Sequence, residues 1–147
     1  AHRRNNGTSL SGGSIEMSET NNKSVVRRYY EEVLNQHQLQ VFNDLADPDF
    51  VSYLPDGRSI SAEIYKQVIS GTLAALPDLK VTIEDQIAED DKVMTRWKAE
   101  GTPQVDFAGI KPNGKSITVT AIHVHRLQHG KLLEHWEAIN LHAIKQD

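Results

Sequence analysis

The chain lacks cysteine, long apolar runs and any excess of positive charge. It has 147 residues, no cysteine and a formal net charge of −4. The absence of cysteine excludes disulfides and thiolate metal sites. The charge gives no electrostatic basis for binding nucleic acid, and no apolar run approaches membrane-spanning length. We therefore expect no nucleic-acid or membrane partner, a small-molecule or protein partner instead, and by default a cytoplasmic location.

The beginning of the chain is polar and rich in glycine. Residues 1–16 contain no apolar stretch of the kind that a secretory signal requires. We expect residues 1–19 to form a flexible tail, either vector-derived or a native extension, because Met17 followed by Ser-Glu-Thr resembles a natural start. Residues 20–147 are long enough to form one domain with its own core.

Hydrophobic periodicity places helices first and strands afterwards. Helical spacing of apolar residues, with Thr20, Asn21 or Asn22 as the first cap and Ser61 as a later one, predicts three helices. Beyond Pro77 the apolar period changes to two, which is typical of strands. This order predicts an α+β domain, with a curved antiparallel or mixed sheet and about three N-terminal helices on its concave face. The predicted helices cover about 20–35, 39–45 and 61–76, and the predicted strands cover 50–53, 79–89, 92–101, 117–127 and a last strand from 131.

Four ionisable side chains lie on the last two strands at a spacing of two. His123 and His125 lie on one strand, and His135 and Glu137 lie on the next. Alternate residues of a strand face the same side, so each pair shares a face. A histidine beside a carboxylate is a potential acid/base pair.

The loop between these strands decides whether the two pairs share one face. Gly130 favours a three-residue loop, which pairs Leu127 with Lys131 and places His123 opposite His135. A register changed by one residue would send the imidazoles to opposite faces. We predict the three-residue loop. One face then carries His123, His125, His135 and Glu137, and the opposite face carries Ile122, Val124, Trp136 and Ala138.

Four sequence features occur in an order found in a known family. They are VVRRYYEEV at 25–33, PDL at 77–79, the F-x-G-I-x-P-x-G-K pattern at 107–115 and GKLLEHWE at 130–137. Over about residues 22–140 the chain resembles the SnoaL-like polyketide (ester) cyclases of the NTF2-like superfamily. The resemblance implies an α+β cone with a deep pocket, and ring closure by intramolecular aldol condensation without metal or cofactor.

The resemblance also implies the site. The family's catalytic acid/base is the aspartate of a His-Trp-Asp motif, which falls on Glu137, and the histidine of that motif falls on His135. A polar residue on the preceding strand that helps to hold the substrate falls near His123 or Ala121. Glu137 is one methylene longer than the usual aspartate, and Tyr53 stands where many relatives have histidine.

Further residues complete the predicted substrate-binding set. His125 shares the face of the other imidazoles. Aromatic side chains can line a pocket for a flat ligand, although at strand or helix spacing they can equally be ordinary core. The aromatic candidates are Tyr29, Tyr30, Tyr53, Trp97 and Phe107, of which Tyr53, Trp97 and Phe107 are assigned to substrate binding.

Two classes of function follow. The first is a SnoaL-like cyclase or related lyase/isomerase that acts on a hydrophobic, carbonyl-bearing small molecule by aldol-type chemistry. The second is a non-catalytic module that holds a small ligand in the same cone. A metal site built from His-x-His and His-x-Glu ranks lower, because residues 127–130 lack the glutamate that follows His-x-His in cupins. We predict no metal and no cofactor.

The opposite face of the last hairpin predicts a partner. Trp136, Ile122 and Val124 make that face apolar, and a strand apolar on both sides is usually covered on both. The resemblance implies pairing through this surface. We expect a homodimer.

Overall fold

The computed structural model describes residues 12–139 and 145–146. Its helical part comprises α1, α2 and α3, together with a π-helical segment that continues α1 without interruption. The bounds are Gly12–Arg28 for α1, Tyr29–Asn35 for the π-helical segment, Val41–Leu45 for α2 and Ala62–Ala75 for α3. The strands are β1 Ala46–Tyr53, β2 Ser59–Ser61, β3 Lys80–Glu89, β4 Lys92–Gly101, β5 Ile117–Gln128, β6 Lys131–Ile139 and β7 Lys145–Gln146.

The strands form one mixed sheet in the order β2-β1-β6-β5-β4-β3, and β7 pairs with β5. Only β1 and β6 run parallel to each other; the other described pairs are antiparallel. The helices pack on one face of this sheet. The predicted α+β class and the mixed sheet are therefore confirmed.

The first helix begins earlier than the sequence suggested. Residues 12–19, expected in a flexible tail, lie in α1, and Thr20, Asn21 and Asn22 are inside that helix and not at its cap. Hydrophobic periodicity could not show this, because the first turns of α1 are polar. The rest of the predicted tail, residues 1–11, lies outside the described residues.

The third helix begins at its predicted cap. The Ser61 hydroxyl accepts a hydrogen bond from the backbone N–H of Ile64, which satisfies one of the free donors of the first turn. Within the described residues, no helix is long and apolar enough to cross a membrane.

Burial alternates along β4 and β5, and the buried residues mark the inner face of the sheet. Val93, Thr95 and Trp97 of β4 are buried, while Arg96 between them is exposed. On β5 the residues from Ile117 to Leu127 alternate in the same way. The helices therefore cover the face that carries His123 and His125.

The hairpin between β5 and β6 differs from the prediction in its turn and agrees in its faces. The loop has two residues, His129 and Gly130, both with positive φ (50° and 72°), which is the geometry of a type I′ turn. Without an irregularity this loop would turn the two strands' imidazoles to opposite faces. Arg126 pairs with Glu134 and Leu127 pairs with Leu132, so Leu133 is the extra residue of a β-bulge that restores the shared face.

The resulting register differs by two residues from the predicted one. His125 pairs with His135, and His123 pairs with Glu137. The predicted pairing of His123 with His135 is wrong, because the turn has two residues instead of three and Leu133 forms a bulge. Because the difference is an even number, the predicted division of residues between the two faces is confirmed.

Candidate active site

A cavity of about 360 Å³ opens between the inner face of the sheet and helix α3. Pockets of this size accommodate small organic molecules. Most of the wall is apolar. Residues that illustrate this are Leu34, Ile69, Leu76, Val81, Ile117 and Val119.

The hydroxyls of two tyrosines in the cavity wall form a hydrogen bond with each other. The hydroxyls of Tyr29 and Tyr65 lie 2.6 Å apart and form a buried hydrogen bond. Burial raises the pKa of both phenols, so both stay protonated at neutral pH. Because these two hydroxyls bond to each other, they offer little hydrogen-bonding capacity to a ligand in the cavity. Four further polar side chains gather where β1, β6 and β5 lie side by side: Ser52, His123, His135 and Glu137. Thr72 and Glu100 line other parts of the cavity.

Glu137 forms a hydrogen bond to His123. The distance between its Oε1 and the Nε2 of His123 is 3.1 Å. The Nδ1 of the same ring lies 2.8 Å from the hydroxyl of Tyr30. Burial raises the pKa of Tyr30, so its hydroxyl remains a donor. A carboxylate can only accept, so a neutral His123 carries its proton on Nε2 and donates it to Glu137, which leaves Nδ1 to accept from the Tyr30 hydroxyl.

The sequence predicted a catalytic pair of Glu137 and His135 from their spacing, whereas the imidazole that binds Glu137 belongs to the adjacent strand. His135 lies close by, with its ring centroid 4.4 Å from that of His123. Its Nδ1 is 3.0 Å from the Ser52 hydroxyl. His135 lines the cavity and packs against the ring that holds Glu137.

Burial favours the neutral form of two imidazoles, those of His125 and His135. Loss of solvation lowers the pKa of His125 well below its usual value, and the neighbouring His123 adds to this effect. Loss of solvation also lowers the pKa of His135 well below its usual value, and the neighbouring His123 and His125 add to this effect. Neutral imidazoles offer a lone pair on one ring nitrogen, which is the form that binds protons or metal ions.

Three imidazoles are close enough to share one ligand. Ligand nitrogens of His123, His125 and His135 all lie within 4.8 Å of one another. Among the residues that the structure describes, this is the one group of histidine, aspartate or glutamate side chains with the spacing of a metal site.

Not every predicted substrate-binding residue reaches the cavity. His123, Trp97 and Phe107 line it. His125 and Ala121 are on the predicted face but are buried outside the cavity lining, His125 behind the rings of Tyr29 and Tyr30.

Tyr53 lies on the other face of the sheet, so its predicted place in the pocket is wrong. Its ring stacks on Trp136, with centroids 5.3 Å apart and planes 10° from parallel. Strand alternation explains the placement, because Phe50 and Ser52 point into the core and Tyr53 must point out. The same alternation identifies Ser52 as a site residue, which the sequence analysis missed.

The outer face carries the apolar side chains that were assigned to a dimer. Ile122 is 38% exposed, and Val124 and Trp136 are half-buried. Arg126 and Glu134 form an ion pair between β5 and β6, with 2.5 Å between nitrogen and oxygen.

Comparison with known proteins identifies the family. A family model described as SnoaL-like polyketide cyclase matches residues 24–147. AclR from Streptomyces galilaeus, proposed to be a hydroxylase, is 28% identical with a TM-score of 0.76, over 84% of this chain and 91% of AclR. IdmH from Streptomyces antibioticus, proposed to be a polyketide cyclase, is 28% identical with a TM-score of 0.73, over 81% of this chain and 91% of IdmH.

A third structure shares the fold at lower identity. It comes from Jannaschia sp. CCS1, is proposed to be a SnoaL-like polyketide cyclase, and is 22% identical with a TM-score of 0.74, over 93% of this chain and 94% of the other. A comparison with curated protein sequences gives no match. The family model covers most of the chain and these structures share its fold, so the chain belongs to the SnoaL-like polyketide cyclase family of the NTF2-like superfamily.

Proposed function

We propose that the chain closes a ring in a hydrophobic, carbonyl-bearing, polyketide-like molecule by aldol-type chemistry, with Glu137 as the acid/base. The observation that carries the proposal is the hydrogen bond of 3.1 Å between Glu137 and His123 at the polar end of an apolar cavity. An apolar wall suits a hydrophobic substrate, and the cluster of Ser52, His123, His135 and Glu137 fixes where its carbonyl groups lie.

The proposed reaction needs one group that removes a proton from carbon and later returns it to oxygen. The Glu137 carboxylate takes a proton from the carbon next to a carbonyl, which forms an enolate. The enolate carbon then attacks a second carbonyl carbon of the same molecule, and the resulting alkoxide takes the proton back from Glu137. Substrate and product are isomers in this step, so no external oxidant or reductant is consumed.

The neighbouring residues position this carboxylate. His123 binds one oxygen of Glu137, and Tyr30 fixes the proton of His123 on the nitrogen that faces Glu137. Within the described part of the chain, the other oxygen of Glu137 forms no hydrogen bond, which leaves it for the substrate. His135 packs beside His123 and limits the movement of its ring.

The proposal is tested by assaying the native protein and the Glu137→Gln variant side by side on linear poly-β-carbonyl compounds, with product detection by mass spectrometry and NMR. Ring closure by the native protein alone supports catalysis. Equal ligand binding by both proteins without turnover by either would show a binding module, which is the second function class for this cone.

We further propose that two copies of the chain pair through the outer face of β5 and β6. We expect a second copy of the chain to cover that face. The apolar residues of the face extend across two long strands, and the Arg126–Glu134 ion pair lies at their edge. Replacing Ile122 with glutamate should place a charge in the interface and give a monomer, since a buried unpaired charge is costly.

Light scattering coupled to size-exclusion chromatography measures this prediction. The native chain should have twice the mass of one chain, and Ile122→Glu should have the mass of one. Val105→Glu provides the matched control, because Val105 is also exposed (55%) but lies in the connection after β4. A native monomer, or a dimer that survives Ile122→Glu unchanged, would contradict the proposed interface.

A further inference from the structure

In contrast to the expectation from the sequence, we infer that His123, His125 and His135 form a binding site for one divalent transition-metal ion of the Zn²⁺ type. All three rings are buried, and their ligand nitrogens lie within 4.8 Å of one another. Imidazole is a preferred ligand of zinc and its first-row neighbours, and three histidines are a common set for an ion that keeps one open position.

In two of the three rings, one nitrogen lacks a protein partner. The Nδ1 of His125 and the Nε2 of His135 are buried and form no hydrogen bond among the described residues. A buried polar atom without a hydrogen-bond partner destabilises the folded state, so native structures rarely keep two in one cluster without a ligand. The ring centroids of these two histidines are 4.8 Å apart. A shared ion would satisfy both nitrogens at once.

Outer-shell partners are in place for two of the three rings, those of His123 and His135. A metal-bound histidine usually donates its second N–H to a neighbouring acceptor, which fixes the ring. His135 has the Ser52 hydroxyl on its Nδ1 at 3.0 Å, and His123 has the Tyr30 hydroxyl on its Nδ1 at 2.8 Å. His135 therefore presents Nε2 to an ion while Ser52 holds its Nδ1. His123 does the same once its proton moves from Nε2 to Nδ1, and the Tyr30 hydroxyl then accepts the hydrogen bond from Nδ1.

The rings need only a small movement to bind. Nitrogens at the corners of a triangle with 4.8 Å sides lie about 2.8 Å from its centre, and Zn–N bonds are about 2.0–2.1 Å, so each nitrogen has to move inward by at most about 0.7 Å. Small side-chain rotations supply a movement of this size. The cavity, which His123 and His135 line, provides the path of entry.

Metal binding competes with the proposed reaction. An ion on Nε2 of His123 replaces the hydrogen bond from that atom to Glu137, and the released carboxylate, 3.1 Å away, is placed to become the fourth ligand. A coordinated carboxylate cannot act as a base. Zinc should therefore inhibit ring closure, a consequence that rests on the proposed function, whereas binding itself does not.

The binding test uses the native chain after treatment with a chelator. Titration with Zn²⁺, followed by calorimetry, should give one ion per chain, and Co²⁺ should give the visible absorption of a four-coordinate site. His125→Gln removes one of the three ligands, one that does not line the cavity, and should weaken Zn²⁺ binding by more than about 100-fold. Ser52→Ala changes only an outer-shell partner and should weaken binding by about 10–100-fold.

His129→Gln is the matched control, because His129 is exposed on the turn between β5 and β6 and should bind no ion in this cluster. Binding equal in native protein and His125→Gln, or Co²⁺ spectra typical of six oxygen ligands, would overturn the proposal. Circular dichroism checks that His125→Gln is folded; if it is not, the Co²⁺ spectrum of the native chain decides. Glu137→Gln separates the two proposals, because it should lose turnover and still bind the ion through three imidazoles.

Discussion

Glu137→Gln should lower kcat for ring closure by about 10²–10⁴-fold, the usual contribution of a positioned general acid or base. The amide has nearly the same shape as the carboxylate and can still bond to His123, but it cannot accept the proton from carbon. KM should change little, because the apolar wall that holds the substrate is untouched. Steady-state kinetics on a cyclising substrate measures both constants.

The length of the side chain at this position gives a graded test. Glu137→Asp keeps the charge but withdraws it by about 1 Å, and misplacement of this order can cost about a hundredfold in rate. Aspartate should therefore restore part of what glutamine loses. Glu100→Gln is the matched control, because Glu100 also borders the cavity but pairs with Lys98 at 3.7 Å and binds no imidazole. A Glu137→Gln enzyme within tenfold of native would exclude the carboxylate as the base.

Which residues share a face within each strand of the last hairpin was predictable, because the period of a strand is two. Spacing alone placed His123 with His125 and His135 with Glu137. The two pairs share the inner face because the bulge at Leu133 offsets a turn one residue shorter than the predicted one. The pattern of helices followed by strands likewise predicted the fold class. These features depend on local periodicity, which a single sequence displays directly.

The partners across the hairpin were not predictable in the same way. The bulge at Leu133 has no residue signature of its own, and it changes which side chains face each other across β5 and β6. As a result the expected pair of His135 and Glu137 became a pair of His123 and Glu137. The parallel pairing of β1 with β6 is a contact between distant segments, so the bond from Ser52 to His135 could not be anticipated.

Folded stability should fall steeply as the pH drops from about 7.5 to about 5. Burial lowers the pKa of His125 and of His135 below 6.5, the value expected in the unfolded chain. Below about pH 6.5 the unfolded state therefore binds protons that the folded state resists, so stability is greatest above this pH and is lost as the pH decreases. If both rings stay neutral when folded, the loss by about pH 5 is about 2 kcal/mol for each, or about 4 kcal/mol together.

A loss of about 4 kcal/mol is a large share of the 5–15 kcal/mol that typically stabilises a domain. Urea denaturation with a chelator present measures it, so that bound metal does not contribute. His125→Gln should reduce the dependence by about half, because one of the two titrating rings is gone. Among the described residues, the rings packed against His125 are Tyr29, Tyr30, His123 and His135, and none of them is a carboxylate that could stabilise an added proton. Equal stability at both pH values would therefore mean that the inner rings protonate without unfolding, and that the cluster is more open to water than its burial indicates.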